Sequence, residues 1–442
     1  MRQPAQAASS AAAESALYLI RRIRPSVAGI AVLLLIVAIV AGYLLKTQVI
    51  QPMPHALYQQ GLISLDRFDR KGNLDSAIES FQRVLAQDEE HAAAHAGLAK
   101  AYWLKLQGDS RDPIWSNRAL AMAERAVALD PYLAAAQVSL GLALDSAGRP
   151  GEALQHVERA LALEPANGDA YYAAGRIYES QGKLKEAEAA YKKATEIQPN
   201  RMNYDGLGSL YLRTRRTEAA ITAFRRSIEL APDSFIAYRN LGVAYYMQGN
   251  LVETASQFQK ALQIRPDATL YANLGTIYFA QGFYQQSVEA FEEALDLPGG
   301  SNNYMVWGNL GDACRWTPDK KDRSREAYGT AIRIVQEQLH SRPGDVTIRS
   351  RLALYRAKRG DLNEALAELD KLENLSGKDA GTWFSMAVAY EVCGQRAKAL
   401  AALEGALRAG LPGNEVRNDP ELLGLRADVR YHRLIARLPN AP

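Results

Sequence analysis

The chain has 442 residues, of which 48% are hydrophobic and 23% charged, with 52 Lys and Arg against 49 Asp and Glu. A net charge of +3 is too small for a protein that lives on phosphate contacts, and two cysteines, Cys314 and Cys393, exclude a disulfide-rich scaffold and a thiolate metal cage. The length corresponds to two or three ordinary domains or to one extended repeat array.

Residues 1–24 read as a short tail. They lead into VAGIAVLLLIVAIVAGYLL, residues 27–45, a run of 19 residues without a charge. At about 1.5 Å per residue such a helix crosses a hydrocarbon layer of roughly 30 Å, so a transmembrane helix is predicted over residues 25–46. A signal peptide has an apolar region of about 7 to 15 residues before a small-x-small cleavage site. This run is longer and Ile39-Val40-Ala41 fits that site poorly, so the segment reads as an uncleaved anchor. Arg21, Arg22 and Arg24 precede it, whereas after Lys46 no Lys or Arg occurs until Arg67. By the positive-inside rule the amino terminus is cytoplasmic and the rest extracytoplasmic, which places the chain as a single-pass protein of the inner (cytoplasmic) membrane with a periplasmic body.

Beyond a linker at residues 47–53, the prolines set a period. Pro131, Pro165, Pro199, Pro232 and Pro266 recur every 33 or 34 residues, and Gly141, Gly175, Gly208, Gly242 and Gly275 keep the same beat. A second glycine series runs through Gly148, Gly182, Gly249 and Gly282. Each unit reads as two helices. In the fourth, Gly175, Ala187 and Ala194 are small enough to let the helices approach, and Tyr178 and Tyr191 are the large residues that fill the gaps. Gly182 supplies the turn, and the closing Pro cannot extend the helix before it. Residues 54–410 hold about ten such units. The second has an insertion around GDSRDPIWSN, and the eighth has a second helix lengthened up to Pro343.

These residues resemble the tetratricopeptide repeat family, shown best by YRNLGVAYYMQGN followed by FQKALQIRP, residues 238–250 and 258–266. The resemblance implies an all-α solenoid, a right-handed superhelix of helix-turn-helix units that binds protein or peptide partners. Thr254 and Ser287 stand where Ala is typical. Residues 411–442 contain NDPELLGLRADVRYHRLIARL, in which Asp419-Pro420 starts a helix, and read as capping helices. This tail and the opening RFDRKGNLDSAIESFQRVLAQD are similar to the repeat half of bacterial membrane receptors that carry a kinase, cyclase or DNA-binding domain before the span. No kinase glycine loop, HRD or DFG is present in this sequence.

Several local patterns imitate active sites. His91 and His95 have a helical zinc-ligand spacing, but no Glu follows the first and no third ligand is near, so both read as helix-entry surface. Gly206-Leu207-Gly208 lies within a repeat helix and not after a strand, and LPGGSNN at 297–303 lacks the Lys-Ser/Thr of a phosphate loop. Cys314 and Cys393, two units apart, are predicted to be too distant to bridge. No acid-base pair or nucleophile is legible, so neither catalysis nor a metal nor a small-molecule cofactor is expected.

The expected function is that of a membrane-anchored scaffold in cell-envelope assembly or chaperoning, with the sensing arm of a signalling complex as the alternative and an enzyme without a recognisable motif as the alternative of another class. The residue before Leu-Gly shares the exposed inner face with its neighbours one turn away. Units six, seven and eight place Asn240, Asn273 and Asn309 there, and in the resembled family asparagines at this position hold the backbone of an extended partner. Arg239, Tyr246 and Arg315 line neighbouring positions, and Tyr172 with Arg176 extends the wall. A polar peptide segment, its carboxylate facing the arginines, is therefore expected across units four to eight.

Overall fold

The computed structural model of the chain describes residues 53–108, 112–413, 416 and 420–436. The predicted tail, span and most of the linker lie outside them. Among the described residues no helix is long and apolar enough to cross a membrane, and there are no strands.

Twenty helices pair into ten hairpins. The first five are α1 (Pro54–Asp66) with α2 (Asn73–Gln87), α3 (Ala92–Gln107) with α4 (Pro113–Leu129), α5 (Ala134–Ser146) with α6 (Pro150–Leu163), α7 (Gly168–Ser180) with α8 (Leu184–Ile197), and α9 (Arg201–Arg213) with α10 (Thr217–Leu230). They are followed by α11 (Phe235–Met247) with α12 (Leu251–Ile264), α13 (Ala268–Ala280) with α14 (Tyr284–Asp296), α15 (Tyr304–Arg315) with α16 (Lys321–Ser341), α17 (Val346–Arg359) with α18 (Leu362–Glu373), and α19 (Ala380–Val392) with α20 (Arg396–Arg408). Two short 3-10 turns and α21 (Val429–Ala436) close the described chain. Leu422, Leu425 and Tyr431 from this terminal segment join the same apolar cluster as Met386 and Tyr390 of α19, so it covers the open end of the last unit.

In hairpins one and four to eight, an aromatic side chain of the second helix fills the gap opposite a glycine of the first, whereas in the third Val157 does so and in the second Gly97 meets Phe81 of the preceding unit. A Cβ added to Gly175 would stand 2.8 Å from the Tyr191 ring, and one on Gly208 or Gly242 would come within 2.6 or 2.5 Å of Phe224 or Phe258. Such contact leaves no room for a side chain, which is why a glycine recurs at this place in units one and three to eight. Tyr191 is fully buried, but Tyr178, read as a second filler, is half exposed with Lys183 over its ring at 5.9 Å. Tyr191 is the ring that meets Gly175, and Tyr178, on the first helix, packs at the edge of the same apolar cluster.

Turn residues obey backbone sterics. Gly148, Gly182, Gly249 and Gly282 all have φ between 74° and 80°, a left-handed conformation that costs glycine nothing. The series lapses in units five and eight, and there Arg215 and Asp319 take φ of 57° and 60°. His91 accepts the Ala94 N–H at Nδ1 as the cap of α3. His95 is not a surface residue: it is buried, and its Nε2 lies 3.0 Å from the Glu89 carbonyl, where a proton on that nitrogen is donated to the oxygen. The two imidazoles hold the chain entry to α3, and among the described residues no group of three His, Cys, Asp or Glu side chains is arranged for a metal.

Candidate functional site

First helices of neighbouring units pack on one another, α3 on α5, α5 on α7, α7 on α9, so they form the inner wall of the array. That wall closes on itself. The turn after α1 reaches α9 and the start of α11: Arg201 donates from Nε and Nη2 to the Asp66 carbonyl at 3.1 and 2.9 Å, and pairs with Asp69 at 3.0 Å. Ser234 donates to Asp69 at 2.9 Å, and Arg67 and Arg70 both pair with Asp233. The first unit therefore touches the fifth and sixth.

Between units one and five the closed turn encloses a cavity of about 240 Å³, lined by Tyr58, Leu65, Lys100, Val138 and Arg201 among others. Lys100 and Asp169 pair at 2.7 Å beside it. Burial works against the Lys100 charge, but the adjacent carboxylate outweighs it and holds the ammonium above its ordinary pKa, while Lys100 holds Asp169 below the usual carboxylate range.

The predicted binding residues are divided among four places. Tyr172, Arg176, Arg239 and Asn240 line one cavity of about 490 Å³. Its opposite wall comes from Phe68, Asp69, Trp103 and Gln107 of units one and two, which the sequence pattern did not indicate. Tyr172 is not an exposed part of the wall: it is only 9% exposed, and its ring meets Tyr191 edge-on at 5.7 Å. Arg176 crosses the groove to donate to Gln107 at 2.9 Å and lies over the Trp103 ring at 5.2 Å. Arg239 donates to Asn240 Oδ1 at 3.2 Å. Asp205 also lines this cavity, and burial pushes its carboxyl up to about 7.

Asn273 and Asn309 line a second cavity of about 570 Å³ together with Asp267, Thr276 and Asn303. Neither amide makes a side-chain hydrogen bond among the described residues, so both retain donor and acceptor capacity. Tyr246 is 57% exposed and lines neither cavity. Arg315 is farther along the chain, donating to the Lys358 carbonyl at 3.0 Å and paired with Glu421 at 3.3 Å. The wall of units four to six is thus already occupied in part by the chain's own first two units, and the face at units seven and eight is open.

Tetratricopeptide repeat profiles match residues 66–109 and 206–269, residues 144–209, and residues 268–297. No curated protein matches the chain. Among solved structures the chain is similar to a human IFIT1 dimer with PPP-AAAA, at 21% identity over 69% of this chain and 69% of that one, with a TM-score of 0.45. It is also similar to YrrB, described as a TPR protein with an unusual peptide-binding site, at 24% identity over 42% and 94% of the two chains and a TM-score of 0.34. Pseudomonas aeruginosa pilF matches at 18% identity over 52% and 98%, with a TM-score of 0.43. At such identities and scores these likenesses carry no argument about what this chain binds. The profile matches coincide with hairpins whose glycines, aromatic fillers and turn positions recur at the same offsets, and the chain carries tetratricopeptide repeats built into an all-α solenoid.

Proposed function

We propose that this chain is a non-enzymatic interaction scaffold, tethered to the inner membrane by residues 27–45, that holds an extended polar segment of a protein partner along the inner face of units six to eight in envelope assembly or chaperoning. The observation that supports the site is the open cavity at Asn273 and Asn309, two amides one repeat apart with no internal hydrogen bond among the described residues. An extended peptide presents alternating N–H and C=O groups, and an amide answers both. Arg239 and Asn240 continue the polar wall toward unit five, where Trp103 and Gln107 narrow it. The near-neutral charge supports a protein partner over nucleic acid.

The test has two arms. Screening the full chain in nonionic detergent against an array of extended polar peptides should yield binders whose affinity falls at least tenfold, about 1.4 kcal/mol, in Asn273→Ala with Asn309→Ala, at unchanged helical content. Undiminished binding removes those residues from the site. Protease added to spheroplasts should degrade residues 47–442 and spare the tail, and a protected array would invert the proposed topology.

A further inference from the structure

Away from the inner wall, at the hairpin-turn edge of units eight and nine, a cavity of about 470 Å³ gathers five cationic side chains: Arg315, Lys321, Arg325, Lys358 and Arg359. They come from the end of α15, the start of α16 and the end of α17, so successive hairpin turns bring them together. Glu421 is the acid that lines it. This residue arrives from the terminal segment, where Leu422 is fixed in the core of the last unit. Its side chain is only 8% exposed and pairs with Arg315 at 3.3 Å.

The other charges are unequally satisfied. Lys358 is paired with Asp312 at 2.6 Å, and Arg359 with Asp361. Arg325 reaches only Asp322, at 3.7 Å in full solvent exposure, and Lys321 has no ion-pair partner among the described residues. Trp316 lines the same cavity, and its Nε1–H is buried without a hydrogen-bond partner. One carboxylate thus sits among an excess of cations and beside an unused donor.

We propose that this edge cavity docks an acidic peptide segment, and that Glu421 is the chain's own occupant of the place an incoming carboxylate takes. Exchange at Arg315 replaces one carboxylate with another, and the incoming segment adds pairs to Lys321 and Arg325 that Glu421 cannot reach at the same time. Because the resident carboxylate competes, the apparent affinity is reduced by the fraction of time that it holds the site.

The experiment is fluorescence anisotropy of labelled hexaglutamate and hexaglutamine with the full chain in nonionic detergent micelles. Hexaglutamate should bind, hexaglutamine should not, and the affinity should fall between about 50 mM and about 300 mM salt. Glu421→Gln should bind about tenfold more tightly. Lys321→Gln with Arg325→Gln, both on exposed positions, should bind about tenfold more weakly, with an unchanged thermal melt. Equal binding of the two peptides, or an affinity untouched by Glu421→Gln, overturns the proposal. Displacement by inorganic phosphate at a concentration equal to that of hexaglutamate would make the cavity a general oxyanion site and overturn the peptide assignment.

Discussion

Arg201 and Asp69 form a salt bridge at 3.0 Å with side chains 4% and 1% exposed, and this bridge joins the first repeat to the fifth. The same guanidinium lies over the Phe68 ring at 4.6 Å and donates twice to the Asp66 carbonyl, 135 residues away. A planar fork with several donors performs all of this at once, which an ammonium cannot do. Removing it leaves Asp69 buried and without its strongest partner, a loss on the order of 3–5 kcal/mol. In Arg201→Ala, amides of α1 and α2 should exchange with deuterium far faster, while those of α17 to α20 keep their wild-type protection because repeats couple mainly to neighbours. Uniform loss across the array, or none, would show that the closure does not depend on this contact.

The neighbouring Asp205 gives the closure a pH dependence. It lies 3.8 Å from Arg201, with Asp69, Ser227 and Arg239 around it, and burial dominates, raising its carboxyl to about 7. Because this value exceeds that of the unfolded chain, the folded state binds the extra proton between pH about 4 and about 7. Stability therefore falls as pH rises through that window, with an upper bound of about 4 kcal/mol, and is flat in this contribution above it. Asp205→Asn should remove the slope and be the more stable protein at pH about 8 by urea denaturation. Parallel curves for the two proteins would assign the slope elsewhere.

The local parts of this fold are legible because they recur within one unit. Gly175 with Tyr191 and Gly208 with Phe224 are separated by a single hairpin, so their spacing alone announces the packing. Ring closure is different. Arg201 meets Asp66 and Asp69 only after four repeat-to-repeat rotations have accumulated, and no periodicity carries that sum. The binding wall inherits the same limit. The sequence places Asn240, Asn273 and Asn309 at one repeat position, but only the closure decides that Asn240 faces Trp103 and Gln107 while Asn273 and Asn309 face an open cavity. Tyr172 is a local exception: its burial comes not from the closure but from Gly206 of the following unit and from the ring of Tyr191 beneath it.

Gly242 tests the hairpin rule directly. An added Cβ would stand 2.5 Å from two carbons of the Phe258 ring, which is itself buried against α11. Gly242→Leu should cost roughly 1–3 kcal/mol by overpacking. The damage should begin in α11 and α12 and reach α9 and α13 next, because each unit leans on the one beside it. Hydrogen exchange that accelerates equally in all ten hairpins would contradict this order.

The two thiols offer an independent measure of where the array opens. Both are free, and Cys314 is fully buried in α15, where burial first and Glu292 second push its thiol up to about 11. Cys393 follows α19 and is half-buried, with its thiol raised by burial alone. The thiolate is the reactive species, so a side chain that is both inaccessible and protonated reacts only when its surroundings open. Iodoacetamide at pH about 8, followed by peptide mass spectrometry, should label Cys393 first and Cys314 on the timescale of opening in unit eight. Sub-denaturing urea should accelerate Cys314 much more than Cys393, whereas Arg201→Ala, which acts three units away, should leave the Cys314 rate unchanged. Labelling of Cys314 as fast as Cys393 in native buffer would mean that the α15–α16 hairpin is not the closed unit its packing describes.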